Sequence, residues 1–280
     1  MDNEELLRRK SLSFSEAEGY EPLPTQLTLG ELPNGTKARL WAVVHEQIKF
    51  HESSSSHWLR PPFRDLARKY FVEEKHGMAD EFSPDVRRVE ADWKTHFEPH
   101  KKYHETLNFV QWLLRNHPEG RFRAKIANVF KDTLSAYRVV DGSTIMPIGS
   151  EQEGRAIQTA LAITADAGML GSRRHLLDAG ASLSSGNFAN SVRESISAVE
   201  AVAFAATGEK SFSKAIAVMD ARRPMNGAFK IAINQLYNYT SQEPGIRHAK
   251  KENASANVDE REAIFMLGVC ASFITYVLAE

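Results

Sequence analysis

A chain of 280 residues holds one large or two ordinary domains, and 42% hydrophobic residues beside 25% charged ones describe a chain that buries a core. Thirty-five basic residues against 36 acidic ones leave a net charge of −1, which excludes a globally basic nucleic-acid binder and an acidic tail but leaves room for a local basic patch. The single cysteine, Cys270, excludes a disulfide framework and a zinc ribbon; the charged stretch Met1 to Lys10 is no secretory signal, so a reducing, cytoplasmic location is expected.

The polar stretch from Met1 to about Thr25 carries Glu21-Pro22-Leu23-Pro24, extended because each proline restricts its predecessor. Helices are expected from Thr36 onward. Ala38, Trp41, Val44 and Ile48 recur at three- and four-residue spacing, the signature of one apolar helical face. After the Ser53–Ser56 run, Pro61-Pro62 opens a second helix with Phe63, Leu66, Tyr70 and Phe71 on one side. Ser83-Pro84 reads as an N-cap followed by proline, leading into Val86, Val89 and Trp93. Leu107, Val110 and Leu114 mark the next helix, which stops near His117 to Gly120, and Phe122, Ile126, Val129 and Leu134 continue the pattern. At Tyr137 the period changes. Tyr137–Val140 and Thr144–Ile148 are β-prone runs around Asp141-Gly142, a pair that supplies the positive φ angles of a tight hairpin. Pro147 cannot donate to a ladder, so this hairpin belongs at an edge. Ser150 with Glu153 is a capping-box signature for a helix through Ile163.

A boundary near Gly171 then separates a helical N-terminal domain with a small β-hairpin near 137–148, spanning 1–171, from a helical bundle of four to five helices, spanning 172–280. In the bundle, Leu176 and Leu183 mark a helix closed by Gly186, Asn187 caps the next, and Ser211 to Met219 and Met225 to Tyr237 form two more. Tyr239 to Val258 reads as a polar loop, and Asp259 caps a last helix that is apolar almost all round. Ala263 to Ala279 holds no charge and reaches the lower limit for a membrane span. Gly268, Ser272 and Thr275 interrupt it and no basic cluster follows it. A buried core or dimer helix is expected rather than a tail anchor, and no membrane partner. The fold class is mainly α.

Two sets of motifs resemble known families. Ser13-Phe14-Ser15-Glu16 with Gly19-Tyr20-Glu21-Pro22 and Leu40-Trp41, together with the Tyr137–Gly142 hairpin and Pro147-Ile148, resemble the AbiJ N-terminal domain 4. His175–Gly180, Asn190–Glu200 and Gly245-Ile246-Arg247-His248-Ala249 resemble the HEPN-like bundles of abortive-infection proteins. The resemblance implies a cytosolic bacterial protein of anti-phage defence, a homodimer through the C-terminal bundle, and metal-independent cleavage of RNA. It departs from the HEPN ribonucleases at one point. Their arginine is followed by a histidine after four to six residues, whereas here the corresponding positions after Arg247 are Glu252, Asn253 and Ala254.

Metal-independent RNA cleavage needs a base for the 2′-hydroxyl, an acid for the leaving oxygen and a cation on the phosphorane. Histidine serves the first two and arginine the third. Arg247 as phosphate clamp and His248 as acid or base are the candidates; Lys250 and Lys251 make that segment locally basic, and Arg193 adds a further RNA-binding cation. Glu194 and Glu200 lie on the Asn187-capped helix, where a carboxylate orients a catalytic cation or imidazole, or forms a structural ion pair. Arg173-Arg174 and Arg222-Arg223 either steer phosphates or are solvated surface. His96, His100 and His104 recur at four-residue spacing, a zinc-compatible face only if one helix runs through them; Pro99 breaks that ladder, so they read as surface histidines. No metal and no cofactor is expected. Two functions stay open: an RNA-cleaving effector, or a catalytically inactive dimerisation or sensor module that binds a partner protein, a phage-derived trigger or nucleic acid through anchors such as Trp41, Trp58, Trp93 and Trp112.

Overall fold

Side chains that accept from the first free backbone N–H groups set where several helices begin. The computed structural model describes residues 12–22, 24–242 and 258–279. Ser13 and Glu16 cap each other at α1 (Phe14–Ala17). Then come α2 (Asn34–Phe50), α3 (Phe63–Glu73), α4 (Val86–Lys94) with a 3-10 turn at Thr95–Phe97, α5 (Tyr103–Asn116) and α6 (Gly120–Asp132). The hairpin β1 (Tyr137–Val140) and β2 (Thr144–Pro147) precedes α7 (Glu151–Asp166), α8 (Leu170–Ser184), α9 (Phe188–Thr207), α10 (Phe212–Arg222), α11 (Gly227–Gln242) and α12 (Glu260–Leu278). Among the described residues the fold is mainly α with one small hairpin, as the periodicities predict. The described residues up to 106 form one compact unit with 125–136, and 107–124 form the other with the described residues from 137 onward.

In the first unit Leu40, Val44 and Ile48 of α2 are fully buried beside Val86 and Trp93 of α4. The predicted face of α2 is displaced: Ala38 is exposed and Trp41 half-buried, while Leu40 takes the core position. Lys37 lies on the buried face, only 3% exposed, and its ammonium donates to the carbonyls of Glu98, Pro99 and Lys101 at 3.2, 3.3 and 2.6 Å. A lysine so placed satisfies three carbonyls of a tight turn while its stem packs in the core. Ser83 is not the cap of α4. Asp85 is, accepting from Arg87 N–H at 2.8 Å. Leu134 does not continue α6, which ends at Asp132; Leu134 takes a positive φ of 49°.

The hairpin of the second unit pairs Tyr137 with Pro147 and Val140 with Thr144. Asp141 and Gly142 adopt φ of 59° and 68°, and Ser143 N–H returns to the Val140 carbonyl at 3.3 Å. Free ladder groups on this hairpin are met by side chains. Ile145 N–H donates to Gln111 Oε1 at 2.8 Å, and Gln158 Nε2 donates to the Val139 carbonyl at 3.3 Å. The Arg138 guanidinium, nearly buried, donates to Glu151 at 2.7 Å and to the Tyr137 carbonyl at 2.8 Å. Met146, fully buried, lies against α8 at Gly180, where a Cβ would come within 2.0 Å of its methyl carbon. Asn187 caps α9 and Gly208 ends it at φ 78°. Asp259 and Glu262 form a capping box on α12. That helix has the length and apolarity of a membrane span, with mean hydropathy 1.5, yet Ala263, Leu267, Ala271 and Ile274 are at most 1% exposed inside the bundle core. Burial pushes the Cys270 thiol up to about 12, so it stays protonated as packing.

His96 is not a solvated surface histidine. Lys94 ends α4, the 3-10 turn carries His96, and residues 98–102 leave the helical path, so the three histidines share no face. His96 Nε2 and the Tyr70 hydroxyl share a hydrogen bond of 2.8 Å, and desolvation lowers the His96 pKa to about 4. Between 6.5 and 4 the unfolded chain takes a proton that the folded chain refuses. Stability present above pH 6.5 is therefore lost as the pH falls through this window, by on the order of 2 kcal/mol after allowing for partial exposure. Thermal melting should show a fall of roughly 5 °C across it that is absent in His96→Gln, which keeps a hydrogen-bonding partner for Tyr70; equal falls in both proteins would refute the assignment.

Candidate functional site

The helix pair α8–α9 carries most of the charged candidates that the structure describes. Helix α9 is lined with small residues on its inner side, Ser191, Ser195, Ala198 and Ala203, each fully buried. That lets α8 approach closely enough for Ser172 Oγ to donate to the Ala198 carbonyl at 2.8 Å. About one turn further along both helices, His175 Nδ1 meets Glu194 Oε2 at 2.7 Å. The other oxygen, Glu194 Oε1, accepts from Arg193 Nη2 at 3.3 Å. Arg193 also donates to Asn190 Oδ1, and Asn190 Nδ2 donates to Ser182 Oγ at 2.7 Å. The carboxylate is sheltered at 15% exposure, while His175 and Arg193 stand at 39% and 48%. One carboxylate thus holds an imidazole and a guanidinium side by side at the bundle surface.

Glu200 lies elsewhere. Six residues along a helix of 3.6 per turn rotate it about 120° away from Glu194. It accepts from the Tyr237 hydroxyl of α11 at 2.9 Å, and the Tyr237 ring stacks on Phe212 with centres 4.5 Å apart. The two candidate carboxylates therefore serve different neighbours and do not meet in one site. Arg247, His248, Lys250 and Lys251 lie outside the described residues. Of the four arginines in basic pairs, Arg173 bonds Asp141 at 2.5 Å and Arg174 bonds Asp178 at 3.0 Å, while Arg222 donates to the Ala206 carbonyl at 2.7 Å and Arg223 lies over the Tyr276 ring. Each has a partner within the fold, and the Arg174 side chain remains 76% exposed.

Sequence spacing alone did not single out His175, Asn190, Ser182 or Tyr237. The first three oppose one another only when α8 and α9 fold back about the Gly186 turn. Among the described residues no group of three or more His, Cys, Asp or Glu side chains gathers as a metal site. Of the four tryptophans, Trp93 is buried at 1% exposure, Trp58 is 55% exposed, and Trp41 and Trp112 are intermediate.

The Tyr237–Glu200 bond ties α11 to α9, and a hydrogen bond to a charged acceptor contributes about 1.5–3 kcal/mol. Tyr237→Phe should lower the unfolding free energy read from urea denaturation by about 1.5–3 kcal/mol, and a double-mutant cycle with Glu200→Ala should return a coupling of similar size. Additive effects would show that the two groups act independently.

The family model described as AbiJ N-terminal domain 4 matches residues 12–162, which takes in α1 to α6, the hairpin and most of α7. No curated protein and no solved structure matches the chain. By that match over more than half its length, the chain belongs to the AbiJ N-terminal domain 4 family.

Proposed function

We propose that this protein is an abortive-infection effector whose C-terminal bundle is HEPN-like and cleaves RNA without a metal. Membership of the AbiJ family supplies the abortive-infection, anti-phage context. The cleavage reading rests on the residue types and on one observation: Arg193, a half-exposed guanidinium, is held beside the sheltered Glu194 carboxylate on an open helix face. A cation fixed in this way offers its remaining N–H groups to phosphate without losing further side-chain freedom on binding. In the proposed reaction a base takes the 2′-hydroxyl proton, and the 2′-oxygen attacks the adjacent phosphorus. The bond to the 5′-oxygen breaks with its electron pair, and an acid protonates that oxygen. Arg247 clamps the phosphate, His248 transfers a proton, and Lys250, Lys251 and Arg193 attract the strand. The location is cytoplasmic.

The dimer proposed for this bundle uses the open side of α11 and α12. An apolar groove of about 480 Å³ runs there between Phe229, Phe265, Gly268, Ser272 and Tyr276, with Gln152 and Glu153 of α7 at its border. Phe229 and Phe265 are 37% and 54% exposed, and Ile231 beyond the groove is 63% exposed. Exposed aromatic and aliphatic side chains around small residues suit helix-to-helix packing between copies. Phe265→Asp should convert a dimer into a monomer by light scattering while leaving the circular dichroism of the bundle unchanged; a variant that stays dimeric removes this face from the interface.

The second reading, an inactive module that senses a trigger or binds a partner, is favoured by the missing histidine spacing after Arg247 and by the exposed Trp58. Purified protein incubated with total RNA and with transfer RNA in chelator distinguishes the two. Cleavage is expected, and Arg247→Ala should reduce it by about 10²–10³-fold, the usual effect of removing a group that stabilises a charged transition state. Intact RNA from the parent protein would leave the sensing module as the function.

A further inference from the structure

We infer that Glu153 of α7 is the docking point for Arg261 of a second copy of this chain; the inference rests on the dimer reading above. Among the described residues Glu153 is the only charged side chain that lines the apolar groove beside α12. It stands at the third position of α7, where a carboxylate ordinarily returns to the N–H of the capping residue. Ser150 Oγ accepts the Glu153 N–H at 3.2 Å, but the carboxylate does not reach back. It enters a niche between two glycines instead. A Cβ at Gly149 would come within 2.5 Å of Glu153 Oε2, and one at Gly268 of α12 would lie 3.1 Å from Glu153 Cγ. In that niche Oε2 is shut off from solvent, with no hydrogen-bond partner among the described residues. An enclosed carboxylate oxygen without a donor is costly, and a cation set against it offsets that cost.

Within the chain the neighbouring cations are taken. Arg223 lies over the Tyr276 ring, and Lys230, next to Phe229, is bound to Asp220 at 2.6 Å. Arg261 is exposed, stands one helical turn before Phe265 on α12, and has no hydrogen bond or ion pair among the described residues. It is seven residues before Gly268, about 10 Å along the helix axis from the Glu153 niche. A two-fold interface presents the same patch on both sides, so an off-axis pair needs both of its members on one face. Glu153 and Arg261 meet that condition. When two α12 helices lie antiparallel with the two-fold axis at Phe265, Arg261 of each copy comes level with Gly268 and Val269 of the other. Phe265, 54% exposed, then meets its counterpart at the centre. The stem of the partner's Arg261 covers apolar surface of the groove, and its guanidinium donates to Glu153.

The test reads the dimer dissociation constant of the full chain by light scattering over a dilution series, with circular dichroism as the check on folding. Glu153→Lys and Arg261→Glu should each raise it by at least about 30-fold, since each sets like charges against one another. An equimolar mixture of these two variants should dimerise within about tenfold of the parent, because both ends of the mixed dimer then pair opposite charges. Glu153→Gln occupies the same niche without charge and should raise the constant by about tenfold, which keeps the test open where Glu153→Lys does not fold. Arg155→Ala removes an exposed cation of α7 two residues from Glu153 and should leave the constant unchanged. A mixture that stays monomeric, or parent-like dimers in Glu153→Gln and Arg261→Glu, overturns the pairing; Phe265→Asp that is still monomeric then leaves the dimer face standing without it. Dissociation by Arg155→Ala in place of Arg261→Glu overturns the choice of cation. A parent that is itself monomeric overturns the dimer reading and the pairing together.

Discussion

The close approach of α8 to α9 is the constraint on which the surface chemistry of the bundle depends. It comes from side-chain size. Ser172 on one helix and Ser191, Ser195 and Ala198 on the other are small enough for a serine hydroxyl to reach a main-chain carbonyl of the facing helix. His175–Glu194 and Ser182–Asn190 are further rungs of the same antiparallel ladder. A larger side chain at 172 or 198, both buried, would push the helices apart. Packing in the core and polar geometry at the surface are therefore one feature, not two.

Much of the architecture is legible in the sequence because local rules decide it. Asn187, Ser150 and Asp259 cap the helices they precede, and Asp141-Gly142 turns the hairpin, since each needs only a neighbour two or three residues away. The errors occur where a distant partner decides. Lys37 occupies a core position of α2 because three carbonyls of residues 98–101 converge on its ammonium, and no periodicity contains that information. His96 leaves the surface because Tyr70 and the packing around it desolvate the ring. The exception is local: the helix cap is Asp85, two residues after Ser83, whose carboxylate accepts the Arg87 N–H.

The candidate site divides along the same line. Arg193, Glu194 and Glu200 were visible as polar positions on an amphipathic helix, but their partners were not. Adjacent charges at 193 and 194 point about 100° apart on a helix, yet both reach one place because the guanidinium is long enough to fold back on its neighbour. Glu200 turns away to Tyr237, a residue 37 positions later in the chain. Cross-helix pairing of this sort depends on register, and register follows from where the loop closes and how small the interface residues are.

Burial separates the polar groups that hold the fold together from those open to an outside ligand. Arg138 with Glu151 has a guanidinium at 8% exposure, and its hydrogen bonds go to the hairpin and to the first turn of α7. An uncompensated charge there would be costly, so this pair is bound to the fold. Arg193 and His175 have comparable partners but about half and two-fifths of their side-chain surface in water. Their mutual contacts contribute little to stability, since exposed ion pairs rarely exceed about 1 kcal/mol. What those contacts do is restrict orientation: the sheltered carboxylate fixes two solvent-facing donors and acceptors relative to each other. The remaining hydrogen-bonding capacity of both groups faces solvent where α8 packs on α9.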